Sequence, residues 1–134
     1  MSGRHVLVLA FTWTLSLTVS LDAHHSVSAY YDQSKTVTFT GTVTKVEWAN
    51  PHIFVYVDVK DDSGAMVNWA IEGGAPTSLY RGGWRKDTVK IGDVITVEAS
   101  PSHTLPHRAN MRVVTLNGAR ILGGNAPNTG AENR

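Results

Sequence analysis

Of the six histidines in the chain, five stand where they could hold a metal or move a proton. His24 and His25 are adjacent, His52 follows Asn50-Pro51, and His103 and His107 lie four apart around Leu105-Pro106. Histidine is a frequent metal ligand and changes charge near neutral pH. If the chain is cut to begin at His24, that residue offers an α-amine and a ring nitrogen together. A third nitrogen from His25 or His52 would then complete a set suited to copper(II) first and zinc second. The competing reading makes His24 and His25 exposed polar residues, and His52 a turn histidine bonded to a loop carbonyl. Pro106 prevents a regular helix from aligning His103 with His107, so both are expected to face solvent. Cysteine is absent, which removes thiolate metal sites, thiol nucleophiles and disulfides together.

Aromatic residues are the second source of binding chemistry. Phe54 and Tyr56 alternate with the apolar residues of a strand and share the face of His52. With Trp48 at the rim, they form a candidate ligand-binding face. The alternative is that an arm or helix covers this face. Trp69 shares a face with Val67 and Ile71 and belongs to the core on that pattern. Arg81, Arg85, Lys86 and Lys90 form a loose basic run that reads as a solvated face. Glu47, Asp58 and Glu72 are possible acids, but no spacing pairs them. No serine lies in a nucleophile elbow, and no glycine-rich loop cradles a phosphate. Nothing therefore proposes a reaction. The expected function is a non-catalytic binding or assembly module for a partner protein or small solute. Metal handling through the mature amino terminus is the alternative.

The elements that must position these residues begin after a leader. Val6 to Val19 is an uncharged run of 14 residues behind Arg4 and His5, and Ser20-Leu21-Asp22-Ala23 follows. This order is that of a secretory signal, and the run is short of the ~20 residues of a spanning helix. Residues 1–23 are thus expected to be removed, giving a periplasmic or secreted protein with no stable membrane span after cleavage. The chain has 134 residues, 12 Lys plus Arg against 11 Asp plus Glu, and a formal net charge of +1. A near-neutral surface lacks the basic stripe that neutralises phosphates, so nucleic acid is not an expected partner.

Residues 24–122 read as one all-β domain with an amino-terminal arm, and 123–134 as a disordered polar tail. The arm, His24 to Lys35, has no clean period. From Thr36, threonines alternate with Val37, Phe39, Gly41 and Val43, and the apolar parity then shifts to Val46 and Trp48. A one-residue shift inside a long strand implies a bulge. Strands follow over His52–Lys60 and Met66–Glu72, joined by Asp61-Asp62-Ser63-Gly64. A short helix is expected over Ala75–Arg81, with Pro76 in its first turn and Gly82-Gly83 ending it. Further strands are expected over Val94–Ala99 and Ala109–Leu116, and Asn117-Gly118 turns the chain into Ala119–Leu122. The expected core includes Val37, Phe39, Val43, Ile53, Val55, Val57, Val67, Trp69, Ile71, Val94 and Val113. Three strands, a helix and two strands, with a long bulged first strand, make a five- to six-stranded OB-like β-barrel. An open α+β sandwich is the second choice.

Several of these residues also resemble a known family. They are Ala23-His24-His25-Ser26, Thr40-Gly41-Thr42-Val43-Thr44-Lys45-Val46-Glu47-Trp48 with Asn50-Pro51-His52, and Asn68-Trp69 leading to Glu72-Gly73-Gly74 with Gly83-Trp84. Together they are similar to an exported bacterial family, domain of unknown function 6152, over roughly His24 to Leu122. The resemblance implies a secreted or periplasmic small β protein and carries no activity, substrate or cofactor. The loop Ser100-Pro101-Ser102-His103 departs from it in its extra His and Pro.

Overall fold

The computed structural model describes residues 27–122. The leader, His24, His25 and the tail therefore lie outside the described residues. The first long strand, β1 (Val37–Glu47), organises the rest. Its threonines 38, 40 and 42 face outward while Val43 is buried. Its first half pairs with β4 (Val94–Pro101), and its second half with β2 (Phe54–Lys60), both antiparallel. The expected bulge falls at Thr44, where the register passes from Val43↔Val57 to Lys45↔Tyr56. At Gly41, β1 packs tightly against β2. A Cβ there would sit 2.3 Å from the Asp58 carbonyl oxygen, so only glycine permits the approach.

β2 and β3 (Met66–Glu72) form a seven-residue ladder. Its turn is fixed by Asp61, whose Oδ1 accepts from the backbone N–H groups of Ser63 and Ala65 at 2.9 Å each. β3 then pairs in parallel with β5 (Arg108–Leu116), matching Ala70 with Arg108 and Glu72 with Asn110. That seam closes a five-stranded OB-like barrel, and β6 (Ala119–Leu122) adds to β5 outside it. The helix α2 (Pro76–Arg81) crosses between β3 and β4, with proline in its first turn. Beyond it, Trp84 is buried and donates its indole N–H to the Ile121 carbonyl at 2.6 Å. This bond ties the connection to β6.

The core is centred on Val43, Ile53, Val55, Val57, Ile71, Ile95, Val97, Ala109 and Val114. Three expected core residues are corrected. Val67, opposite Val59 near the β2–β3 turn, is only partly buried and stands outside the core cluster. Val94 is 56% exposed, and Ile95, Val97 and Ala99 point inward instead. The pairing Gly41↔Ile95 and Phe39↔Val97 with β1 sets that parity. Val113 is only partly buried, because the β4–β5 register passes from Glu98↔Val113 to Ala99↔Met111. The bulge at Arg112 carries Val114 into the core. Phe39 and Trp69 are partly buried and stack at 4.6 Å against one another.

The arm is also corrected. Instead of an irregular segment, Val27–Tyr30 forms one helical turn, α1. Tyr31 is buried and bridges Ser102. The Asp32 N–H then donates to the Pro101 carbonyl at 2.8 Å.

Candidate functional site

Strand pairing places three rows of outward side chains on the barrel's β1–β2–β3–β5 face. Glu47, Phe54, Glu72 and Asn110 form one row, and Lys45, Tyr56, Ala70 and Arg108 the next. Asp58 and Asn68 continue into the third row, where Asn68 donates to Asp58 at 2.7 Å. Glu72 ends β3 and Arg108 begins β5, so barrel closure sets them side by side. Arg108 Nη2 donates to Glu72 Oε2 at 3.2 Å. The Tyr31 hydroxyl, delivered by the docked arm, donates to the same oxygen. Arg108 Nε donates to the Tyr31 oxygen at 3.1 Å. His52, just before β2, brings its Nδ1 to 2.6 Å from Glu72 Oε1. One carboxylate thus gathers three partners from three separate parts of the chain.

Exposure decides what a ligand would meet. The Glu72 side chain is 14% exposed, whereas Arg108 is 36% and His52 44% exposed. Burial, then the bond to Glu72, pushes the Tyr31 hydroxyl up to about 12. The bonds to Tyr31 and Glu72 raise Arg108 above its ordinary value against the effect of burial. Arg108 and Tyr31 keep their protons over the whole physiological range.

These groups border a cleft of about 310 Å³ between α1 and the Ser102–Arg108 loop. Val27, Tyr30 and Leu105 supply much of its wall. An adjoining depression of about 330 Å³ shares Val27, His52 and Glu72 and reaches Asn110 and Arg112. His103 clasps the arm: its backbone N–H donates to the Tyr30 carbonyl at 3.0 Å, and its ring Nε2 lies 3.2 Å from the Ser28 carbonyl. The Pro- and His-bearing loop therefore holds one wall of the cleft. His107 is exposed and sets its ring edge-on to Trp69 at 5.4 Å.

Phe54 and Tyr56 lie side by side, 6.3 Å between ring centres. Neither ring face is bare. The Arg108 guanidinium sits 4.9 Å above Phe54, and the Lys45 ammonium 5.1 Å above Tyr56. The Tyr56 hydroxyl donates to Glu47 at 3.1 Å, and Lys45 pairs with the same carboxylate. Those bonds hold Glu47 below its usual range and raise Lys45, while burial raises Tyr56. Trp48 lines a separate depression with Pro76 and Tyr80, whose ring carries Arg85 at 3.9 Å. His52 and Phe54 are thus brought to the Glu72 cluster, and Trp48 is not.

His24 and His25 fall outside the described residues. Among the described residues no three His, Cys, Asp or Glu side chains gather as a metal site would require. His52 is bound to a carboxylate rather than to a loop carbonyl. Sequence reasoning missed Tyr31 and Arg108. They lie 41 and 36 residues from Glu72, and only the docked arm and the parallel seam unite them. The visible signal was Glu72 itself, an acid ending a strand beside the aromatic one.

Two crystal forms of the mitochondrial single-stranded DNA binding protein Rim1 from S. cerevisiae resemble this chain at TM-scores of 0.47 and 0.48. Their identities are 10% and 13%, and they cover 62% and 68% of this chain and 94% and 97% of their own. A ZRD-deleted mutant of TiaS in complex with agmatine matches at a TM-score of 0.45 and 18% identity, over 72% of this chain and 24% of that one. No curated protein matches. The model of a family of unknown function, DUF6152, matches residues 13–109.

Proposed function

The chain belongs to the DUF6152 family of unknown function, and with no activity to inherit we propose that it is a non-catalytic module binding a small solute in the cleft between its arm and the β3–β5 seam. One observation carries this reading. A partly apolar concavity of about 310 Å³ converges on His52, Glu72 and Arg108, whose orientations are fixed by mutual bonds. Small-ligand sites have this composition, apolar walls with a few placed polar groups. Phe54 serves as support, holding the Arg108 guanidinium over its ring. A nucleic-acid ligand fits poorly, because the Phe54 and Tyr56 faces that would stack on bases carry the protein's own cations. Residues 1–23 act as an export signal, and the module works in the periplasm or outside the cell. Amino-terminal sequencing of recovered protein tests the export step, and a chain still starting at Met1 overturns it.

The binding reading is tested by titrating isotope-labelled protein with a mixed set of small fragments. Amide shifts should concentrate at Val27, Ser102, Leu105 and Arg108 and vanish in Leu105→Trp, which fills the cleft from an exposed loop. Hits confined to the Trp48–Tyr80 depression, or capture of a protein partner unaffected by Leu105→Trp, overturn it.

A second reading, metal binding, is favoured by the His52 geometry. Its Nδ1 is held by Glu72, an arrangement that orients imidazoles for metals elsewhere. Nε2 has no partner among the described residues. Val27 borders the same cleft, and three residue steps, at most about 11 Å, lead from it to His24. Copper(II) titration of protein beginning at His24, beside protein with one extra amino-terminal residue, decides this. Tight binding lost on extension supports a chelate of His24 with His25 or His52. Equal binding by both, or by neither, removes it.

A further inference from the structure

We infer that the cleft selects a small carboxylate with an apolar body, held by Arg108. The inference rests on the cleft-binding reading above and names the ligand class for it. Its basis is which polar groups still have capacity. Glu72 is the sole acid bordering the cleft and its adjoining depression among the described residues. Its two oxygens already accept from Tyr31 and Arg108 and pair with His52. At 14% exposure it is the least accessible charge there. A cationic ligand would have to share a carboxylate that three groups already occupy.

Arg108 is in the opposite condition. A guanidinium carries five N–H donors in a planar fork. Here Nε and Nη2 are engaged, and Nη1 has no partner among the described residues. The cation is pinned from below by the Phe54 ring and from the side by Tyr31 and Glu72. A donor pinned in this way loses little rotational freedom on accepting a ligand. The adjoining depression adds a second cation, Arg112. Arg108 and Arg112 against Glu72 leave one net positive charge bordering the two concavities, before any charge on His52.

The apolar part of the ligand follows from the opposite wall. Val27, Tyr30 and Leu105 are 45%, 53% and 50% exposed, although each lines the cleft. An apolar body lying against them would cover this surface while its carboxylate meets Arg108. A volume near 310 Å³ sits at the lower end of ligand pockets and suits one ring or a short chain.

Calorimetric titration of the purified protein at one pH and ionic strength tests the inference with benzoate, hexanoate, benzyl alcohol, benzylamine and inorganic phosphate. Both carboxylates should bind at least about tenfold more tightly than the alcohol or the amine. Leu105→Glu adds an opposing charge at an exposed wall position without touching the Glu72 cluster. It should weaken benzoate by at least about tenfold and strengthen benzylamine. Arg108→Gln should weaken benzoate similarly while leaving benzyl alcohol within about twofold. Should Arg108→Gln fail to fold, Leu105→Glu carries the decision. Benzylamine or benzyl alcohol binding as tightly as benzoate overturns the carboxylate and leaves the cleft reading intact. Phosphate binding as tightly as benzoate overturns the apolar body. Benzoate binding unchanged in Leu105→Glu places the anion elsewhere and overturns the inference, and no binding by any probe overturns it together with the cleft reading.

Discussion

Tyr31 and Glu72, 41 residues apart, are joined by a hydrogen bond that fastens the amino-terminal arm to the seam closing the barrel. Tyr31 is 3% exposed, so its hydroxyl must find a partner inside the protein, and Glu72 is that partner. The same bond builds the cleft, since the arm is one wall and Glu72 lies between its polar groups. Tyr31→Phe keeps the ring and removes the bond. It should cost about 1.5–3 kcal/mol, the range for hydrogen bonds to charged groups, measured by urea unfolding. Its cleft amides should also broaden or shift, whereas amides of the β1–β4 ladder should not. A Tyr31→Phe protein as stable as the parent, with an unmoved arm, would show that packing alone docks the arm.

The same residue gives the protein an alkaline limit. Burial and Glu72 raise the folded-state value for Tyr31 to about 12 from the ordinary 10.0. Folded protein therefore holds this proton more tightly than unfolded chain. The stabilisation is complete below pH 10 and is lost as pH rises from about 10 to about 12. Two pH units correspond to about 2–3 kcal/mol at most. Tyr56, also raised, acts in the same direction. Unfolding midpoints between pH 8 and 11.5 should fall less steeply in Tyr31→Phe than in the parent, with Tyr56→Phe as the comparison. Parallel curves for parent and Tyr31→Phe would contradict the assignment.

Gly41→Ala tests the crossing of the first two strands. The added methyl would meet the Asp58 carbonyl oxygen at 2.3 Å and the Val57 and Val59 methyls at 2.7 and 2.9 Å. Backbone cannot step aside as a flexible side chain can, and β1 is held on both flanks by ladders. The expected cost is at least about 1–3 kcal/mol, as for overpacked cores, seen as a lowered thermal midpoint. Gly64→Ala is the contrast. That residue has φ +86° but open space around its Cβ position, so its cost is backbone strain alone, about 1–2 kcal/mol.

These residues also mark how far the sequence could be read. The bulge at Thr44 was legible because apolar parity changes within one strand-like run rich in threonine and valine. The β2–β3 ladder was legible because its two strands alternate cleanly between turn residues. Val94 misled because the strand opens on two consecutive apolar residues, although the alternation of Ile95, Val97 and Ala99 with Thr96 and Glu98 already marks the inner face that pairing with β1 sets. Val113 misled because nothing in Met111-Arg112-Val113-Val114 marks the extra residue at the bulge. The site was less legible than the fold. Glu72 could be seen as an acid at a strand end, and His52 and Phe54 as neighbours on one face. Arg108 is brought to them by a parallel pairing that no local pattern encodes, and Tyr31 by an arm without a period. Functional groups assembled by barrel closure leave no fixed spacing in the chain.

Ser100 supplies a prediction of the opposite sign. It is fully buried, and its Oγ has no hydrogen-bond partner among the described residues. It lies in β4 opposite Asn110, directly after Ala99 at the β4–β5 bulge. A buried hydroxyl without a partner has lost its water bonds and gained nothing in exchange, a cost of about 1–3 kcal/mol. Ser100→Ala removes that cost and takes away one small atom, leaving too little space for a harmful cavity. The backbone bonds of the β4–β5 ladder are untouched by the change. The variant should therefore be at least as stable as the parent, with a gain of about 1 kcal/mol in urea or thermal unfolding. Ser100→Val separates an unsatisfied hydroxyl from a tight fit, because it removes the polar atom but adds bulk. It should lose the gain through overpacking. Destabilisation by Ser100→Ala would mean that the hydroxyl is satisfied in solution, and a high-resolution structure should then place an ordered water within hydrogen-bond reach of Oγ.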